Sequence, residues 1–201
     1  MSDETVLNTD LLNTDLLNTD LLNTTVSEPA LDAGEVEMLL FALERSRAQF
    51  AWKVGGLDAA GLRRPFPPST MTLGGLIKHV ALCEQSMLSR FVTGEPLGAP
   101  WDAVEGMSPW EWGWRSASDD TPAELYALWS GAVEHARATW NAAIADGGLD
   151  RRSTYVLRDG SAPNIRRALV DLHDEYARHV GHADLMREAV DGLVGEDPPQ
   201  R

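Results

Sequence analysis

Glu175, His179 and His182 sit together in the stretch DEYARHVGH, residues 174–182, of a chain that has only five histidines. At 100° per residue, Glu175 and His179 lie about 40° apart around a helix, and His182 about 20° from Glu175. Asp171, one turn earlier, shares the stripe, whereas His173 points about 160° away from Glu175. Imidazole nitrogen and carboxylate oxygen at i and i+4 can reach one divalent ion at about 2 Å each. A third ligand must come from another helix, and His79, inside the apolar run GLIKHVALCEQ, is the best candidate. Three protein ligands with an open fourth position form a catalytic arrangement, in which a bound water or thiol loses its proton at neutral pH. Two blander readings stay open. The Glu–His pair is otherwise an exposed i, i+4 contact worth about 0.2–0.5 kcal/mol, and His79 is otherwise a hydrogen-bonded core histidine.

Other residues near this constellation have two readings each. Cys83, one turn after His79, reads as a small buried hydrophobe rather than a ligand. Glu84 is either an acceptor for a histidine N–H or a solvated helix charge. Trp101, Trp110, Trp112 and Trp114 crowd into one stretch, either as flat walls of a binding pocket or as loop packing.

The elements that must position these residues are helical. Val36, Leu39, Leu40, Leu43, Phe50 and Val54 share one face, which predicts a first helix over 34–56. A second, over 71–93, follows Thr70 or Thr72 as N-cap. Residues 94–120 lack a sustained period and read as a long loop. Thr121-Pro-Ala-Glu124 combines a capping box with proline at the first helical position and opens a third helix to about residue 145. Tyr155-Val-Leu reads as a short extended piece. Asn164 then caps a fourth helix to about residue 190, stopped by Asp191-Gly192. Long helices without a strand pattern point to an all-α four-helix bundle over 32–193.

Residues 7–25 repeat LNTDL with a five-residue period, similar to pentapeptide-repeat solenoids. Four units make at most one coil, which cannot bury its own apolar face. Residues 1–31 therefore read as a disordered, low-complexity tail, and 194–201 as a second one.

The totals narrow the function further. A formal charge of −14 repels phosphate backbones and anionic membranes, so small molecules are the expected partners. No apolar run reaches about 18 residues, and MSDETVLNTD lacks the features of a secretory signal. A single cysteine excludes an internal disulfide and a cysteine-only metal cluster, and fits a cytoplasmic protein. Any metal must then be held by histidine and carboxylate. The expected state is a monomer or homodimer.

GLIKHVALCEQ, EYARHVGHADLMREAVDG, Pro100-Trp101 and Asp120-Thr-Pro-Ala-Glu-Leu125 together resemble the DinB/YfiT-like superfamily, and within it the branch of mycothiol-dependent transferases. The resemblance covers roughly 34–192. It implies a metal triad of His79, Glu175 and His179, with zinc expected and nickel, iron or manganese as alternatives. It places His182 where many members carry glutamine, in the pocket wall or just behind the ligands; Asp171, Glu84 and Trp101 are the further candidates for that surround. Gly181 is expected to let a neighbouring helix or ligand approach closely. Close members carry histidine where this chain has Asp171, and extra negative charge there binds an ion more tightly while weakening it as a Lewis acid. The implied function is a metal-dependent S-transferase, in which mycothiol or another low-molecular-weight thiol attacks an electrophile. The alternatives are a non-catalytic small-ligand or stress-response bundle and a thiol-dependent isomerase.

Overall fold

Capping side chains set where most of the described α-helices begin. The computed structural model describes Leu21 and residues 24–199, so the repeat 7–25, apart from Leu21, Thr24 and Thr25, lies outside the described residues. Helix α1 spans Glu35–Val54, with Glu35 and Glu37 in its first turn, where the N–H groups leave positive charge. The short α2, Ala59–Arg63, is capped by the Asp58 carboxylate, which accepts from Gly61 N–H. In α3, Leu73–Met87, Thr72 is the cap and accepts from Gly75 N–H. A π-helical turn, Leu88–Thr93, extends α3 until Gly94 enters the left-handed region at φ 74°.

Trp101–Ala103 forms one 3-10 turn, and α4 follows at Pro109–Ser116. Helix α5, Pro122–Ala145, starts with the expected capping box between Thr121 and Glu124. Helix α6, Ile165–Asp191, is capped by Asn164 and closed by Gly192 at φ 81°.

The architecture is all-α. Among the described residues there is no strand, and the stretch around Tyr155 contributes only an isolated bridge between Arg152 and Asn164. Helix α1 packs along α6, α3 along α5, and α3 also against α6. Their shared core includes Phe50 and Val54 of α1, Leu76, Ile77 and Val80 of α3, Tyr126 and Trp140 of α5, and Leu169 and Leu172 of α6. Each large apolar side chain buried in this way contributes about 1.5–3 kcal/mol. No helix among the described residues is long and apolar enough to cross a membrane.

The loop expected over 94–120 contains α4. Ser108 accepts from Glu111 N–H and Pro109 occupies the first turn, so a local start signal was present. Four aromatic or glycine positions in eight residues obscured its periodicity.

Both ends of the described chain touch α1. The Leu21 side chain is buried, with its Cβ so close to Gly55 that a methyl group there would come within 2.9 Å of it. In 194–199, read from sequence as a tail, Asp197 accepts from Arg45 Nε and Nη2 at 3.2 and 2.5 Å and from Gln49 Nε2 at 2.8 Å.

Candidate metal centre

Helix α3 supplies His79, and α6 supplies Glu175 and His179 one turn apart. Glu175 Oε2 lies 3.4 Å from His179 Nε2 and 3.8 Å from His79 Nε2. The two imidazoles meet edge to face with centroids 4.5 Å apart. One potential donor atom from each of the three side chains falls within 4.8 Å of those of the other two. The structure thus brings together the three residues that the sequence had offered from two segments almost a hundred positions apart.

These contacts are not ordinary ion pairs. Burial, reinforced by His79, His182 and Arg178, pulls the His179 imidazole down to about 4. Burial also lowers His79, against the opposing pull of Glu175. Both rings are therefore neutral near pH 7 and direct nitrogen atoms toward a carboxylate oxygen. Tetrahedral ligands at 2.0–2.1 Å from one ion are separated by about 3.3–3.4 Å. The separations of 3.4 and 3.8 Å come close to that, and two imidazole nitrogens with one carboxylate oxygen suit a borderline divalent cation. The residues present fit a metal ion.

His182 stands behind His179, Nδ1 to Nδ1 at 3.3 Å. A hydrogen bond there needs a proton on exactly one of the two nitrogens. If His179 uses Nε2 as a ligand, its proton resides on Nδ1 and is donated to His182, which fixes both tautomers.

Cys83 Sγ lies 3.6 Å from His79 Nε2. Burial, with Glu175 and Glu84 adding to it, pushes the thiol far up, so without an ion beside it Cys83 is a neutral neighbour.

Several expectations around the triad change. Glu84 is neither a histidine acceptor nor a solvated charge: fully buried, it takes Arg47 Nε and Nη2 at 2.8 and 2.7 Å and the Tyr176 hydroxyl at 2.8 Å. Its partners lie 37 and 92 residues away, beyond any local pattern. Asp171 accepts from Arg167 Nε at 2.7 Å, which offsets the charge it brings. Trp101 is buried edge to face against Trp112. A Cβ on Gly181 would meet nothing within 4 Å, so this glycine makes no close approach to a neighbouring helix.

The tryptophans that reach the site are Trp110 and Trp114, both on α4, with ring centroids 5.5 and 5.3 Å from His79. Sequence reasoning named them without placing them, because it missed the helix that carries them. A cleft of about 600 Å³ lies elsewhere, between α1, α5, Leu21 and residues 24–29. Its arginines are already engaged, Arg45 with Asp197, Arg47 with Glu84 and Arg137 with Glu44, and none of the three candidate ligands lines it.

Among curated proteins, none matches the chain. The family model described as mycothiol-S-transferase matches residues 38–192, which takes in most of α1, all of α2 through α6 and all three candidate ligands. By that match over most of its length, the chain belongs to the mycothiol-S-transferase family.

Proposed function

We propose that this protein is a metal-dependent thiol S-transferase, built on a DinB-like four-helix bundle over 32–193, with mycothiol or a related low-molecular-weight thiol as cosubstrate. The observation that supports this most is the convergence of His79 Nε2 and His179 Nε2 on Glu175 Oε2 in a chain of the mycothiol-S-transferase family. His79, Glu175 and His179 would hold a divalent ion, zinc first, with nickel, iron or manganese as alternatives. When bound, such an ion lowers the pKa of a coordinated thiol from about 8.5, so that the thiolate prevails at neutral pH.

The chain's own residues orient and shield. His182 holds the His179 tautomer through the Nδ1 contact. Trp110, 42% exposed beside His79, offers an apolar face at the solvent side of the site. Trp114 stacks on the His79 ring. In the transfer, the thiol sulfur bonds to the electrophilic carbon, the leaving group departs with its bonding pair, and the thiol proton passes to solvent. No oxidant or reductant is needed. The charge of −14 favours a small-molecule thiol and electrophile over nucleic acid or membrane as partners, and a cytoplasmic setting fits the single, buried cysteine.

The experiment is turnover of an activated aryl halide by the full chain with a panel of thiols, with and without chelator. Thiol-dependent product that is lost on chelation and restored by zinc is the expected result. Metal-loaded protein without thiol-dependent turnover would leave a binding bundle.

A further inference from the structure

We propose that α4 is a clamp that sets the orientation of His79 for metal binding, with Trp114 as its contact residue and Lys78 as the side chain that locks the helix in place. The proposal rests on the metal-centre reading given above.

A metal-binding histidine usually gives its second ring nitrogen to a carboxylate, a backbone carbonyl or water, and that bond fixes the ring. His79 departs from this pattern. Its Nδ1 is buried and, among the described residues, has no hydrogen-bond partner. Aromatic packing takes the place of the missing bond. The Trp114 ring stacks on the imidazole at 5.3 Å and 25°, and Trp110 tilts against it at 5.5 Å and 53°.

Room for this stack is built into α3. Gly75 lies one turn before His79, on the same face, and a Cβ at that position would come within 2.5 Å of Trp114 Cε3 and 2.8 Å of Cζ3. The indole therefore occupies the space a side chain would take at 75 and stacks on the imidazole. Any residue larger than glycine at 75 displaces the ring.

Lys78, the neighbour of His79, secures α4 from the same helix. Its ammonium donates to Ser116 Oγ at 2.7 Å and to Asp120 Oδ2 at 2.6 Å, and sits 3.8 Å from the centre of the Trp112 ring. The side chain is almost fully buried, so this charge is held by the C-terminal end of α4 and the residues just after it rather than by water. A buried cation that loses these partners is destabilised strongly, which ties α4 to one position. Lys78 thus fixes the helix, the helix fixes Trp114, and Trp114 over Gly75 fixes the imidazole. Trp114 and Lys78 are positioning residues, since neither offers a ligand atom to the site.

Zinc titration of the full chain, with zinc as the only added ligand, tests this. The set comprises wild type, Trp114→Leu, Trp114→Phe, Lys78→Met and Gly75→Ala. Tyr126→Phe, which loses a buried hydroxyl contact to Val54 O at the end of α1, serves as a destabilised control whose lost contact involves neither α3 nor α4. Trp114→Leu, Lys78→Met and Gly75→Ala are expected to weaken zinc binding about tenfold or more, the usual effect of losing a residue that orients a ligand. Trp114→Phe should recover most of that loss, and Tyr126→Phe should lower Tm without changing the zinc Kd. If Trp114→Leu does not fold, Lys78→Met and Gly75→Ala carry the same test. Zinc affinity within twofold of wild type in the folded variants, whatever their Tm, overturns the clamp and leaves the metal centre standing. A wild-type chain that takes up no zinc overturns the metal-centre reading, and the clamp with it.

Discussion

The Tyr176 hydroxyl donates to Glu84 Oε1 at 2.8 Å and thereby joins α6 to α3, the two helices that carry the candidate metal ligands. Tyr176 follows Glu175 directly, and Glu84 lies five residues after His79. The same hydroxyl accepts from Trp129 Nε1 on α5, and Glu84 in turn holds Arg47 on α1. One buried polar chain therefore connects four helices behind the site, and every member of it has a partner.

Breaking this chain at its centre should be severe. Glu84→Ala leaves the Arg47 guanidinium buried with only Glu44 to pair with, and a loss of about 3 kcal/mol is expected. Tyr176→Phe leaves Trp129 Nε1 without its acceptor and should lose about 1–3 kcal/mol. Denaturant unfolding midpoints at constant slope check both. Losses below about 0.5 kcal/mol would mean that the chain sets no geometry.

His182→Ala tests the tautomer argument. With its Nδ1 partner gone, His179 is less well oriented, and zinc affinity should fall about tenfold while binding stays at one ion per chain. Loss of all zinc would instead make His182 a ligand and displace one of the three.

The contact of residue 197 with α1 predicts a pH signature. The Arg45 guanidinium, ahead of the Gln49 amide, holds the Asp197 carboxyl below its usual range. A carboxyl lowered in the folded state stabilises above its unfolded pKa of about 3.9, and loses that contribution as pH falls through the lowered folded value. The stability difference between wild type and Asp197→Asn should therefore be constant from neutral pH to about 4 and shrink below it. Since the pair is partly exposed, the difference should stay under about 1 kcal/mol. A difference that grows on acidification would contradict the assignment.

Leu21 offers a test at the other end. Its side chain is buried beside Gly55, so Leu21→Ala should destabilise by about 2 kcal/mol, read from thermal unfolding. An unchanged Tm would show that residue 21 is not part of the core.

The candidate ligands were legible because their geometry is local to two helices. Glu175 and His179 share a stripe by helical spacing alone, and His79 stood out as an imidazole in an apolar run. Thr121, Glu124, Asn164 and Gly192 likewise announced helix ends through capping chemistry. What could not be read was long-range pairing. Glu84 reads as either a histidine acceptor or a helix charge because Arg47 and Tyr176 are distant in sequence, and Trp101 reads as either a pocket wall or loop packing because its contact with Trp112 depends on the fold. Helix α4 is a different case. Ser108-Pro109-Trp110-Glu111 has the same pattern as Thr121-Pro122-Ala123-Glu124, but the crowded tryptophans around it hide the helical period.

The central claim is that three side chains from α3 and α6 hold one divalent ion. Metal content of the native full chain, set beside that of His79→Ala, Glu175→Ala and His179→Ala, tests it most directly. One equivalent of metal in wild type and essentially none in each variant, with helicity retained, is the predicted result. Stoichiometric metal in any of the three variants, or none in the wild type after incubation with zinc, would contradict it.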